Sequence, residues 1–273
     1  MRTVKAAWFH LFPFRTQKLS MPTFRSVLHL RAGEPESCPP FFFKKYIKRC
    51  FASSSMDYLR KISSSYRRRL LDKMLEEHQH IYKGIVLDIG GRDRGTFKKP
   101  KGQVKQWLFA DIVKTHNPDI ILDVTDMKAI KTDSIDVINA TELFEHVRNP
   151  EQGLDECHRA LKKGGTIIMS MPFLYPLHAD PYDYQRWTSY KWHEELKKRK
   201  FKKIVIVPMG GFFTVMSDHA HSFFKTRTRL LRYACYVFYP FMSLINHLDN
   251  TAIVQKNRIL SGYTTGYFIT AKK

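Results

Sequence analysis

From residue 84 onward the chain alternates between short apolar runs and stretches of helical period, an order that few architectures accommodate. The apolar runs are IVLDIG (85–90), QWLFADI (106–112), DIILDV (119–124), IDVINAT (135–141), TIIMSMP (166–172), KKIVIVP (202–208) and the glycine-punctuated GYTTGYFITAK (262–272). Between them, Asn149-Pro150 opens a helix through Leu161 that the Gly164-Gly165 pair is expected to end, and SYKWHEELKKRK (189–200) reads as a second helix. Runs buried on both faces, joined by helices, predict an α/β fold with a doubly wound, seven-stranded, mostly parallel sheet. An antiparallel C-terminal hairpin of 202–208 and 262–272 should close it. Residues 213–260 are too many for a loop and are expected to be a helical insertion.

Upstream of the sheet the composition changes. Residues 1–83 hold 17 Lys/Arg against 6 Asp/Glu, about half the excess behind a net charge of +21. Such a surface draws anionic partners such as nucleic acid, acidic lipid or phosphorylated substrates, or is simply solvated. Residues 1–55 are rich in proline and aromatics, with no acid before Glu34. They read as a targeting segment or as an extension ahead of Met56, and the fold is expected to begin at residue 56. Residues 57–82 place Leu59, Ile62, Tyr66, Leu70, Met74 and His78 at helical spacing, predicting a helix with a basic, solvated outer face. The four cysteines (Cys38, Cys50, Cys157, Cys235) form no C-x-x-C, so neither a zinc site nor a disulfide framework is expected. A cytoplasmic protein follows, or an organellar one if 1–55 is a transit segment. The longest apolar stretch, 230–248, is interrupted by Arg232 and Pro240 and falls short of a membrane span.

In a doubly wound sheet, ligands sit beyond the carboxyl ends of the strands. The first strand ends in Asp88-Ile-Gly90-Gly91, where small residues let backbone approach a ligand. The second ends in Asp111, about 20 residues past the glycine turn, where a carboxylate can take both hydroxyls of a ribose. The third is followed by Asp123 and Asp126, either able to accept from an adenine amino group, and the fourth by Glu145-His146.

Taken in order, DIGG, FADI, DVTDM and ATELFEHVRNPEQGLDECHRALKKGGTIIMSMP resemble the class I S-adenosylmethionine-dependent methyltransferases of the type 11 group, whose fold is Rossmann-like. The resemblance implies that S-adenosyl-L-methionine is the cofactor, with Asp88, Gly90 and Gly91 at its methionine end. It also implies Asp111 on the ribose, Asp126 near adenine and Glu142 beside the site. Two departures stand out: Arg92 and Arg94 replace small residues, and the link to the second strand is short and contains Pro100. A phosphate-binding helix N-terminus is thereby unavailable, which suits a cofactor without phosphate.

The loop after the fifth strand, HADPYDYQRW, gathers His178, Asp180, Asp183, Tyr184 and Arg186 on the acceptor side. His178 or His146 can serve as base toward a hydroxyl, with Asp183 orienting the loop; alternatively an Asp183–Arg186 pair only locks it. No metal is required. NATE after the fourth strand, and Cys157 within a helix rather than after a proline, count against nucleobase methylation. The reading is therefore O-methylation of a small-molecule, glycan or lipid-linked acceptor, anionic charge on it being compatible with the basic chain. Residues 213–248 would either lie on a membrane surface or cover the site. An RNA-associated methyltransferase and an inactive cofactor-binding relative, its glycines replaced by Arg92 and Arg94, are the alternatives.

Overall fold

The computed structural model describes residues 64–91, 96–179, 181–226 and 229–273, with no side chain described in 225–236. Strands β1 (Gly84–Ile89), β2 (Val104–Asp111), β3 (Ile120–Ile121), β4 (Ile135–Thr141), β5 (Leu161–Pro172), β6 (Lys202–Met209) and β7 (Gly266–Lys272) form one sheet in the order 3-2-1-4-5-7-6. β7 runs antiparallel to both β5 and β6, and the other neighbouring pairs are parallel. The order turns back between β1 and β4, so the crevice for a ligand opens at their carboxyl ends.

Successive residues of a strand face opposite sides, and the chain uses this to build two cores. Leu87, Ile138, Ile167 and Ile269 point into one, with Leu154 of helix α2 (Pro150–Ala160) and Trp192 and Leu196 of α3 (Ser189–Lys198). Their neighbours Val86, Val137, Ile168 and Phe268 point into the other, against Leu71 and Leu75 of α1 (Tyr66–Glu77). Burying each of those leucines contributes about 1.5–3 kcal/mol. The expected insertion is helical: α4 (Phe212–Thr226), α5 (Arg229–Ile245) and α6 (Ala252–Gln255).

Four expectations need correction. Gly164 and Gly165 do not end a helix. α2 stops at Ala160, Leu161 is already extended, and the glycines lie inside β5. There the register against β4 jumps from Ile135↔Leu161 to Val137↔Thr166. Gly164 takes φ +77°, and a Cβ on Gly165 would lie 2.9 Å from the Lys162 carbonyl, so the pair makes a bulge. Second, β3 is two residues rather than six, because Asp123 and Asp126 fold back on each other immediately after it. An edge strand is commonly this short.

Third, the helix expected over 57–82 is seen from its Ser65 cap, whose hydroxyl accepts from Arg68 N–H at 3.1 Å; residues before 64, and so the whole 1–55 segment, lie outside the described residues. The helix ends at Glu77 instead of near residue 82, and although Tyr66 is buried as expected, beyond it the buried face is turned by one position, about 100°. Leu71 and Leu75 are fully inside, while Leu70 and Met74 are only partly covered. Fourth, the basic face is not wholly solvated: Arg67 is buried, because its guanidinium pairs with Glu142.

Two buried aspartates tie the helices together from a distance. Asp249 accepts from the N–H groups of Gly211, Phe213 and Thr214 at 2.8–3.0 Å, satisfying the start of α4. Asp218 of α4 accepts from Tyr66 N–H (2.5 Å) and Arg67 N–H (3.0 Å), satisfying the start of α1. A helix N-terminus leaves N–H groups without intrahelical partners and favours negative charge, so each carboxylate is well placed.

Candidate active site

Two strand ends, those of β1 and β2, offer the surfaces that a cofactor would need. After β1, Gly90 turns the chain with φ +70° while its N–H donates to the Ala110 carbonyl at 2.8 Å. A Cβ on Gly91 would sit 1.9 Å from Asp88 Oδ1, so no larger residue fits above that carboxylate. Asp88 itself is buried beneath the turn. Its oxygens accept from Asn139 Nδ2 (2.6 Å) and Trp107 Nε1 (3.0 Å), and Tyr82 donates its hydroxyl to Asn139 Oδ1 at 2.9 Å. Asp88 thus braces the turn from below, and Gly90 and Gly91 provide its surface.

At the end of β2, Asp111 Oδ1 accepts from Val113 N–H at 2.8 Å and Oδ2 lies 2.9 Å from His116 Nδ1. The next side chain, Ile112, is 64% exposed, an apolar ledge beside a carboxylate of fixed orientation. Asp126 is elsewhere in character. It is exposed, pairs with Lys128 at 2.9 Å and borders a shallow depression with Gln152, Glu156 and Arg159 of α2. Asp123 is also exposed and accepts from Thr125. Arg92, Arg94 and Asp180 lie outside the described residues.

The ends of β4 and β5 line the other side of the crevice. Glu142 takes φ +53° while its N–H donates to the Ser170 carbonyl, and its carboxylate is clamped by Arg67 and Arg68 of α1. Arg67 also stacks 4.3 Å from the Tyr175 ring centroid. Neither arginine was singled out by the sequence. SSSYRRR reads as a surface stretch until its partner, 75 residues away, is known.

One turn further on, Glu145 is completely buried, and neither carboxylate oxygen has a hydrogen-bond partner. Burial pushes its pKa up. His146 Nε2 lies 3.8 Å and His178 Nε2 4.0 Å from Glu145 Oε1. The loop after β5 brings His178 there because it is pinned to the 144–146 turn. Tyr184 N–H donates to the Glu145 carbonyl at 2.9 Å, and Gln185 Nε2 donates to the Phe144 and Val147 carbonyls.

Asp183 holds that loop from within. It receives Arg186 through both terminal nitrogens and the His178 N–H at 3.0 Å. Burial opposes its charge, yet Arg186 and the His178 N–H outweigh burial and bring its pKa down to about 2. The lock and the juxtaposition of His178 with His146 are therefore one device. Burial lowers the His178 pKa, with Asp183 opposing, so its imidazole is held toward the neutral form.

Comparison with known proteins finds one family model and several similar folds. Residues 104–169 match the family model described as a methyltransferase domain. The fold is similar to that of an S-adenosylmethionine-dependent methyltransferase from Archaeoglobus fulgidus (18% identity, 76% of this chain and 94% of that one, TM-score 0.48). It is also similar to Haemonchus contortus phosphoethanolamine N-methyltransferase 2 in complex with S-adenosyl-L-methionine (12% identity, 74% and 52% of the two chains, TM-score 0.47). A third likeness is to the CurJ carbon methyltransferase (14% identity, 75% and 53%, TM-score 0.43). No curated protein matches.

The family match and the strand order carry the assignment. The chain contains a class I S-adenosylmethionine-dependent methyltransferase domain. The residues present fit that cofactor: a glycine turn with no room for side chains, and an oriented carboxylate followed by an exposed isoleucine, with no helix described between β1 and β2. Gly90 and Gly91 would hold its amino-acid end and Asp111 its ribose.

Proposed function

We propose that this chain methylates a hydroxyl group of a small-molecule, glycan or lipid-linked acceptor, the lipid-linked class being the best supported. The observation that carries the choice of oxygen is the pair of imidazoles at the ends of β4 and β5. His146 Nδ1–H donates to the Tyr182 carbonyl at 2.6 Å, an atom that can only accept. His178 Nδ1 faces the Pro176 carbonyl at 3.3 Å and the Asp183 carboxylate at 3.2 Å, again acceptors only. In each neutral ring the Nε2 lone pair is therefore free for a proton.

When bound, S-adenosylmethionine would supply an electrophilic methyl group to the acceptor oxygen and leave as the neutral thioether. The acceptor O–H proton passes to the Nε2 lone pair of His146 or His178. Positioning supplies much of the acceleration and proton removal about 10²–10⁴-fold. The locked 178–186 loop holds the imidazoles still for this.

Support for a lipid-linked acceptor comes from the insertion. On α5 and the turn after it, Val237, Phe241, Leu244 and Leu248 recur at helical spacing and are 75%, 57%, 67% and 42% exposed. From His219 to Leu248 the sequence carries Lys225, Arg227, Arg229 and Arg232 and no acid. An apolar stripe in a segment whose sequence carries cations and no acid suits the interface of an anionic bilayer. Among the described residues, no helix is long and apolar enough to cross a membrane.

The test is transfer of a tritiated methyl group from the cofactor into a cell extract split into lipid, soluble and RNA fractions. Alkali-stable label in the lipid fraction is expected. Label confined to RNA would replace this reading with the RNA-associated one, and cofactor binding without transfer to any fraction would mark an inactive relative.

A further inference from the structure

We propose that Glu145, His146 and His178 form a binding site for one divalent transition-metal ion, with Zn²⁺ as its best occupant, on the acceptor side of the crevice. One donor atom from each of the three residues lies within 4.8 Å of the others, and Glu145 Oε1 stands 3.8 Å and 4.0 Å from the Nε2 atoms of His146 and His178. Bonds of about 2.0–2.1 Å in tetrahedral array hold donor atoms roughly 3.3–3.4 Å apart, so side-chain adjustments of about half an ångström bring them onto one ion.

The polar bookkeeping points the same way. Glu145 is fully buried, and neither oxygen has a partner in the protein. A buried carboxylate without donors is costly, and it must take a proton or a cation. Protonation alone leaves it without a bond, because the nearest ring nitrogens stand 3.8 and 4.0 Å away, beyond hydrogen-bond reach. Those nitrogens present lone pairs, since both Nδ1 positions face acceptors. A ring N–H directed at a carbonyl or carboxylate behind the ligand is the usual support of a metal-bound histidine. His178 with Asp183, and His146 with the Tyr182 carbonyl, supply that support. Two imidazoles and one carboxylate suit zinc and its transition-metal neighbours, whereas magnesium favours oxygen donors and water.

The histidine side chains are 24% and 33% exposed, which leaves the ion an open side. An acceptor hydroxyl bound there would lose its proton to solvent more readily. The inference rests on the proposed acceptor reading and changes one step of it: with the ion bound, both Nε2 lone pairs are taken, and the acceptor proton leaves to solvent instead of to an imidazole.

The full chain is stripped with chelator, reloaded with Zn²⁺ alone, and its metal content measured beside its affinity for S-adenosylhomocysteine. About one ion per chain is expected, undisplaced by excess Mg²⁺. His178→Ala and Glu145→Gln should lower Zn²⁺ affinity at least tenfold, Asp183→Asn by about ten- to a hundredfold, and His80→Ala, on the exposed turn after α1, not at all. Unchanged circular dichroism shows that each variant folds. His146→Ala replaces any that does not. Fewer than about one ion in ten chains, or full retention in the folded Glu145→Gln and His178→Ala variants, overturns the site. Metal retention without S-adenosylhomocysteine binding keeps the site and breaks the methyltransferase reading instead.

Discussion

The two halves of the crevice treat their carboxylates in opposite ways. On the cofactor side Asp88 and Asp111 are each held through both oxygens by protein groups, so they act as fixed parts of a wall. On the acceptor side Glu142 is neutralised by two arginines, yet Glu145, three residues on, is sealed from water with nothing to bond. Satisfied buried groups hold a shape. An unsatisfied one stores a demand that a ligand can meet. Under the proposed function, the contrast divides the residues assigned to the methyl donor from those assigned to the methyl acceptor.

The strongest break of that division is His178→Ala. Turnover should fall ~10²-fold or more while S-adenosylhomocysteine affinity stays within about threefold, because the residue belongs to the acceptor half. Loss of cofactor binding in the folded variant, read by calorimetry, would move the 178–186 loop over the cofactor. Asp111→Ala should do the reverse. It loses charge-assisted bonds to two hydroxyls, about 1.5–3 kcal/mol or roughly ten- to a hundredfold in cofactor affinity. Unchanged affinity with native circular dichroism would remove the ribose assignment.

Away from both halves, Phe241→Ser with Leu244→Ser should weaken sedimentation with anionic vesicles about tenfold and leave the melting temperature alone. Equal binding by the double variant would take the stripe out of the account. The smallest effect belongs to Asp218→Ala, which removes the acceptor for two N–H groups at the start of α1. A cost of about 1–2 kcal/mol, or roughly 2–8 °C in melting temperature, is expected. A thermal scan showing no shift would mean that Ser65 alone suffices as the cap.

How much of this was legible follows from the range of each interaction. The buried strands β1, β4, β5 and β7 write themselves as apolar runs, and the half-exposed β2, β3 and β6 keep enough apolar residues to be read as well, so all seven, and the closing hairpin of β6 with β7, could be read from local pattern. The Gly164-Gly165 bulge could not, because it exists only in register with β4, and a glycine pair after a helix looks the same as a stop. The inward turn of α1 was hidden likewise. Arg67 looks solvated unless Glu142 is known to wait for it. At the site, the strand-end rule picks out Asp111, His146 and His178 as candidates. It could not show that Glu145 lacks partners or that both Nδ1 atoms are committed, since those facts arise from the loop that Gln185 pins in place.

The carboxylate of Asp218 has a consequence for how this protein can change. It lies on α4, inside the insertion, and it grips the first N–H groups of α1, whose Arg67 and Arg68 then clamp Glu142 in the crevice. Insertion and leading helix are thus inherited as a pair. A shortened chain lacking 213–260 would lose more than a surface ornament, because the helix that neutralises Glu142 would lose its anchor. Grafting either piece alone onto another sheet would likewise leave a buried charge without its counterpart.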